Sequence, residues 1–110
     1  MKLFWNDVEN NKYYLGDLKK EENEYIFIIN EEGLKMALKH GCFGIGNIDI
    51  TKHENRSNEL FDFFKNRIPK RDDEEIEVFL QIIGLEEYDE YEILKRTKAK
   101  LPTDRYYLEE

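Results

Sequence analysis

Pro69 constrains the fold of this chain more than any other residue, because it separates two segments with helical spacing of apolar residues. A proline disfavours helical backbone at the residue before it and has no N–H to donate, so a preceding helix ends by Ile68. The apolar positions that share one helix face are Leu60, Phe61, Phe64 and Ile68 before the proline, and Ile76, Phe79, Leu80 and Ile83 after it. The sequence therefore predicts two amphipathic helices joined by a tight basic elbow at residues 67–71.

Residues suited to helix capping set the ends of these two helices. Ser57 can accept a hydrogen bond from an open N–H of the first turn, so we expect the first helix to begin there. Asp72 or Asp73 can cap the second helix in the same way. Gly84 follows its last apolar residue, where a left-handed residue commonly ends a helix.

The N-terminal third of the chain is rich in β-branched and aromatic residues. Residues 2–5, 12–18 and 24–29 read as strands separated by short polar loops, which predicts a three-strand antiparallel meander. Gly16 within the second strand indicates a bulge or a close backbone approach.

The remaining segments predict short elements. Asn30 is expected to cap a helix that ends at Gly41, and Asp89 to cap a last short helix. Edge strands are expected at 48–50 and 105–108, with a polar loop at 51–56. The sequence as a whole predicts one α+β domain over residues 1–110, a small antiparallel sheet (the meander plus edge strands) packed with three to four short helices.

The net charge of −8 lies entirely after the elbow. Residues 1–71 contain 12 Lys/Arg and 12 Asp/Glu, whereas residues 72–110 contain 5 Lys/Arg and 13 Asp/Glu. Acidic surfaces repel phosphate, which argues against general nucleic-acid binding and favours a basic protein partner. The alternative is that the acidic residues only form solvated helix faces.

No group of residues has the pattern of a catalytic, nucleotide or metal site. The glycines at 41, 44 and 46 are not followed by a Lys-Ser/Thr pair and a helix, which a phosphate-binding loop requires. His40, Cys42 and His53 do not have the paired spacing typical of zinc ligands, although a His40–Cys42 pair is not excluded by the spacing. We therefore expect a protein that is not an enzyme and has no cofactor, metal or small-molecule substrate.

Cys42 is the single cysteine, so the chain has no internal disulfide, as is usual in a reducing cytoplasm. No apolar run approaches the roughly 20 residues of a membrane-spanning helix, and no signal-peptide pattern follows Met1. We expect a cytoplasmic protein without a membrane partner.

Four segments resemble motifs of one protein family. Leu15–Leu18 is similar to a V-G-x-L strand, Tyr25–Ile28 to an aromatic F-x-Y strand, Leu60–Phe64 with Arg67–Pro69 to an F-F-x-x-L-L-P segment, and Gly84–Leu85 with Tyr88–Leu94 to a G-L-x-x-x-D-x-x-x-L-L helix pair. In this order they resemble the N-terminal subdomain of HipA-type toxin kinases and its stand-alone version, the HipS-like proteins. The ATP-binding loop and catalytic Asp/Asn residues of the HipA kinase core have no counterpart here.

The resemblance implies a domain without kinase activity that binds and modulates a HipA-like serine/threonine kinase core as an antitoxin-like partner. From the elbow geometry we expect Arg67, Pro69, Lys70 and Arg71 to be exposed contacts for that partner, with Tyr106 and Tyr107 as further candidates. The alternative function is a small nucleic-acid-associated domain that uses Trp5, Tyr106, Tyr107 and the Lys95–Lys100 turn.

Overall fold

The computed structural model describes all 110 residues and contains five strands and four helices. In chain order these are β1 (Lys2–Asn6), β2 (Lys12–Glu21), β3 (Glu24–Ile29), α1 (Glu31–Lys39), β4 (Glu54–Ser57), α2 (Asp62–Lys65), α3 (Ile76–Ile83), α4 (Glu90–Thr97) and β5 (Tyr106–Glu109). The strands form one antiparallel sheet in the order β4-β3-β2-β1-β5. The predicted α+β fold is confirmed.

The predicted meander forms β1, β2 and β3, and the bulge lies beside Gly16. Leu3 pairs with Gly16 and Phe4 with Tyr14, so Leu15 is the extra residue of β2. A Cβ atom at position 16 would lie 2.3 Å from the carbonyl oxygen of Ile28. Only glycine therefore allows β2 and β3 to approach so closely at this point.

The hydrophobic core lies between one face of the sheet and the four helices. The sheet contributes Leu3, Trp5, Leu15, Leu18, Phe27, Ile29 and Leu108, and the helices contribute Leu34, Ala37, Phe64, Leu80, Ile93 and Leu94. Every helix buries residues in this single cluster, so all four helices lie on the same side of the sheet. None of the helices is long and apolar enough to span a lipid bilayer.

The opposite side of the sheet carries Phe4, Tyr14 and Tyr107, which we call the open face. Phe4 is paired with Tyr14 on one side and with Tyr107 on the other, so the three rings form a row across β2, β1 and β5. They are half-buried and lie outside the core cluster. The sheet therefore presents an aromatic row that its own helices do not cover.

The region before the elbow differs from the prediction. Residues 48–50 do not form a strand, and Ile48 is buried in a turn. Instead, Glu54–Ser57 forms β4 and pairs with Tyr25–Ile28 of β3. This strand begins inside the polar loop predicted at 51–56 and ends one residue after it. The predicted helix start at Ser57 is also wrong, because that backbone extends along β3 and α2 is a single turn.

The predicted N-terminal caps are confirmed for two of the four helices, α1 and α4. Asn30 Oδ1 accepts from Gly33 N at 2.8 Å, and Asp89 Oδ1 accepts from Glu92 N at 3.2 Å. Gly84 ends α3 with φ +80°. The predicted cap of α3 is wrong, because Asp73 accepts from Glu75 N at 2.8 Å in the turn before the helix and no side chain caps α3 itself.

Candidate functional site

The six predicted contact residues lie in three separate places. Arg67 and Tyr106 point into the interior, Pro69, Lys70 and Arg71 lie at the elbow, and Tyr107 lies on the open face. The structure therefore does not bring them together as one surface.

Arg67 is a buried structural residue, with 7% of its surface exposed. Its Nη1 and Nη2 atoms donate to the two carboxylate oxygens of Asp104, both at 2.7 Å. Its Nε donates to the Ala99 carbonyl at 2.6 Å and Nη2 also donates to the Tyr106 carbonyl at 3.1 Å. The expectation that Arg67 is exposed at the elbow is wrong, because the planar guanidinium ties the C-terminal segment to α2.

Tyr106 packs around the same guanidinium. The Arg67 Cζ lies 5.1 Å from the Phe63 ring centroid and 5.5 Å from that of Tyr106. The Tyr106 hydroxyl donates to the Gly44 carbonyl at 2.5 Å. Burial, with a contribution from Cys42, raises the pKa of Tyr106, so the phenol stays a neutral donor. Both residues are therefore committed to internal contacts.

The sequence did contain a signal for the buried arginine. Arg67 lies three residues after Phe64 and beside Ile68, on the side of the segment that the apolar spacing assigns to the core. A charged residue at such a position is expected to be paired. Its partner could not be identified, because Asp104 lies 37 residues away in sequence.

Tyr88 contacts the elbow, and the two form a cleft. The Tyr88 hydroxyl donates to the Pro69 carbonyl at 2.6 Å, and the Arg71 Cζ lies 4.8 Å from the Tyr88 ring centroid. Burial raises the pKa of Tyr88, which keeps this donor protonated. The cleft has a volume of about 380 Å³ and is lined by Lys65, Asn66, Pro69, Lys70, Arg71, Tyr88 and Glu90. We call it the elbow cleft.

The elbow cleft is positively charged. Lys65, Lys70 and Arg71 face one carboxylate, Glu90, among its lining residues. Lys65 also pairs with Glu59 at 3.8 Å, whereas Lys70 and Arg71 form no ion pair. The adjacent acidic residues 72–74 thus form no ion pair with the elbow cations, which can still bind an anionic group.

The open face combines aromatic rings with lysines. The Phe4 ring centroid lies 5.6 Å from that of Tyr14 and 5.7 Å from that of Tyr107. Lys12 Nζ lies 4.1 Å from the Phe4 centroid, and Lys100 Nζ lies 5.6 Å from that of Tyr107. Lys12 also pairs with Glu109 at 2.9 Å, so part of this positive charge is used within the sheet.

The histidine and cysteine residues form no joint site. No group of three or more His, Cys, Asp or Glu side chains is arranged to hold a metal ion. His40 Nδ1 lies 2.8 Å from the Met36 carbonyl and its ring stacks on Tyr13, whereas buried Cys42 contacts Gly44 and Tyr106. His40 and Cys42, which lie two positions apart in the sequence, thus contact different residues.

The elbow cleft and the open face are the two places where predicted contact residues remain accessible. The cleft offers cations on a fixed backbone, and the open face offers rings with lysines above them. Comparison of the chain with protein-family models, with curated proteins and with solved structures found no match.

Proposed function

We propose that this chain is a non-catalytic interaction domain that binds and modulates a HipA-like serine/threonine kinase in the cytoplasm, as an antitoxin-like partner. The placement of the four resembling segments supports this proposal. They lie in β2, in β3, in α2 with the elbow, and in α4, and they bury Leu18, Phe27, Phe64 and Leu94 in one core. The resemblance therefore follows the framework of the domain rather than one local stretch.

The observation that carries the proposal is the pair of elbow cations, Lys70 and Arg71, which are exposed and form no ion pair. Pro69 and the Tyr88 hydrogen bond fix the backbone, so little conformational freedom is lost when Lys70 and Arg71 bind. The Arg71 guanidinium can donate two parallel hydrogen bonds to a carboxylate or phosphate group. The elbow cleft thus suits an acidic or phosphorylated segment of the kinase.

The Lys70→Ala/Arg71→Ala double variant tests this assignment. We expect its binding to the HipA-like kinase core of the same host to weaken by roughly 2 kcal/mol or more, the scale of an interface hot spot. Its Tm should stay nearly constant, because both residues are exposed. Isothermal titration calorimetry and thermal unfolding measure the two quantities.

The matched control is Lys35→Ala/Lys39→Ala, which removes two exposed cations from α1, outside the elbow cleft. This control should bind as the wild type does. Failure of the wild-type protein to bind the kinase would contradict the proposed function. Equal binding by the elbow variant would show that the contact lies elsewhere.

The open face favours a second candidate, a binding domain for single-stranded nucleic acid. Aromatic rings can stack on bases while lysines contact phosphates. Trp5 and Tyr106 cannot take part, since both point into the core, and the net charge of −8 opposes binding. A salt titration with a mixed-sequence single strand discriminates the two functions, because phosphate contacts produce a steep salt dependence.

A further inference from the structure

Helix α3 exposes two apolar residues at the surface, next to a polar side formed by Glu77 and Gln81. Six of its eight residues, Ile76–Ile83, are aliphatic or aromatic. Leu80 is buried, and Ile76, Phe79 and Ile83 pack against the core. A surface helix normally exposes only polar residues, so the apolar residues that α3 exposes beyond Glu77 and Gln81 are not explained by folding.

The outer residues are Val78 and Ile82, which are 58% and 77% exposed. They are four positions apart and therefore adjacent on one face of the helix. We call these two residues the α3 outer face. Isolated exposed apolar residues are common, but two neighbouring ones on a short helix form a contact patch.

Six exposed carboxylates flank α3 in the sequence, and a seventh lies within the helix. These are Asp72, Asp73, Glu74, Glu75, Glu77, Glu86 and Glu87, and none of them takes part in an ion pair. Arg96 is the cation that contacts this helix, and its Nη1 donates to the carbonyls of Ile83 and Gly84 at 2.9 and 3.3 Å. The α3 outer face therefore belongs to an acidic segment whose carboxylates form no ion pairs.

We propose that the α3 outer face is a docking surface for a protein that presents an apolar groove edged by lysines and arginines. Burial of Val78 and Ile82 would stabilise the complex through the hydrophobic effect, and the carboxylates in and around α3 would favour a basic partner. A second copy of this chain does not fit, because a symmetric contact would place the carboxylates around one α3 against those around the other. The elbow cleft carries the opposite charge, and the partner of the α3 outer face need not be a kinase.

Two synthetic helix-forming peptides of about 18 residues provide the test. Both carry a leucine stripe at helical spacing, flanked by lysines in one peptide and by glutamates in the other. We expect the lysine-flanked peptide to shift the backbone amide signals of α3 in the ¹⁵N-labelled protein at about 50 mM salt, where charge contacts are weakly screened. The glutamate-flanked peptide should shift none of them.

The variant Val78→Gln/Ile82→Gln should weaken binding of the lysine-flanked peptide by roughly tenfold or more, with an unchanged Tm. The control is Val8→Gln, which removes a residue 80% exposed in the turn between β1 and β2. It should leave peptide binding unchanged. Unchanged affinity of the α3 variant, equal binding of both peptides, or signal shifts confined to other surfaces would each overturn the proposal.

Discussion

At the scale of single residues, Arg67 connects distant parts of the chain. Its four hydrogen bonds reach Ala99, Asp104 and Tyr106, which follow it by 32, 37 and 39 positions. Ala99 has φ +54° and Lys98 before it has φ +58°, a conformation that side-chain-bearing residues seldom adopt. The guanidinium holds this left-handed turn so that β5 can pair with β1.

The Arg67→Ala variant should lower the free energy of unfolding by about 3–5 kcal/mol, because it leaves the partly buried Asp104 carboxylate without its cation. Arg67→Lys should recover only part of this loss, since lysine cannot donate two parallel hydrogen bonds. Urea unfolding measures both values. Lys70→Ala, at the exposed residue directly after Pro69, serves as the control and should change stability by less than about 0.5 kcal/mol. An Arg67→Ala variant about as stable as the wild type would contradict this structural role of Arg67.

At the scale of elements, the sequence predicted the features that depend on neighbouring residues but not those that depend on distant ones. The meander and the caps at Asn30 and Asp89 are local features, and the sequence predicted them. The strand β4 forms by backbone pairing with the free edge of β3, and its side chains are half-buried or exposed. Its sequence can therefore be polar and lacks the apolar pattern typical of a strand. The partner of the buried Arg67 is likewise remote in sequence, so neither β4 nor the Arg67–Asp104 pair could be predicted from local spacing.

Gly33 shows how packing can oppose local preference. It lies inside α1, where alanine would favour the helix by about 1 kcal/mol. A Cβ atom there would lie 1.7 Å from the carbonyl oxygen of Tyr14, so α1 could not keep its present distance from β2. We therefore expect Gly33→Ala to destabilise the protein.

Thermal unfolding of Gly33→Ala, with Glu32→Ala as an exposed control on the same helix, measures this effect. The control should have a Tm close to that of the wild type. A higher Tm for Gly33→Ala would show that helix preference outweighs the close packing of α1 on β2.

At the scale of the whole molecule, two hydrogen-bonded carboxylates link stability to pH. Burial raises the pKa of Asp104, but the hydrogen bonds from Arg67 and from the Tyr106 amide outweigh it, so the pKa lies below its ordinary value. Burial also raises the pKa of Asp7. The hydrogen bonds from Asn11, Tyr13 and the Glu9 amide outweigh this effect, so the pKa again lies below its ordinary value. Both groups therefore bind protons more weakly in the folded than in the unfolded chain.

The stability that these two groups contribute is fully present above their unfolded pKa of about 3.9 and is lost as the pH falls through their folded values. We expect the free energy of unfolding to fall steadily below about pH 5, where the unfolded chain begins to take up more protons than the folded one. Asp104→Asn should be less stable than the wild type at pH 7 and should lose less on acidification, since one linked proton is removed. Asp72→Asn, an exposed residue without an ion pair, is the control and should follow the wild-type curve. Urea unfolding between pH 7 and pH 3 measures these curves, and parallel curves for Asp104→Asn and the wild type would contradict the linkage.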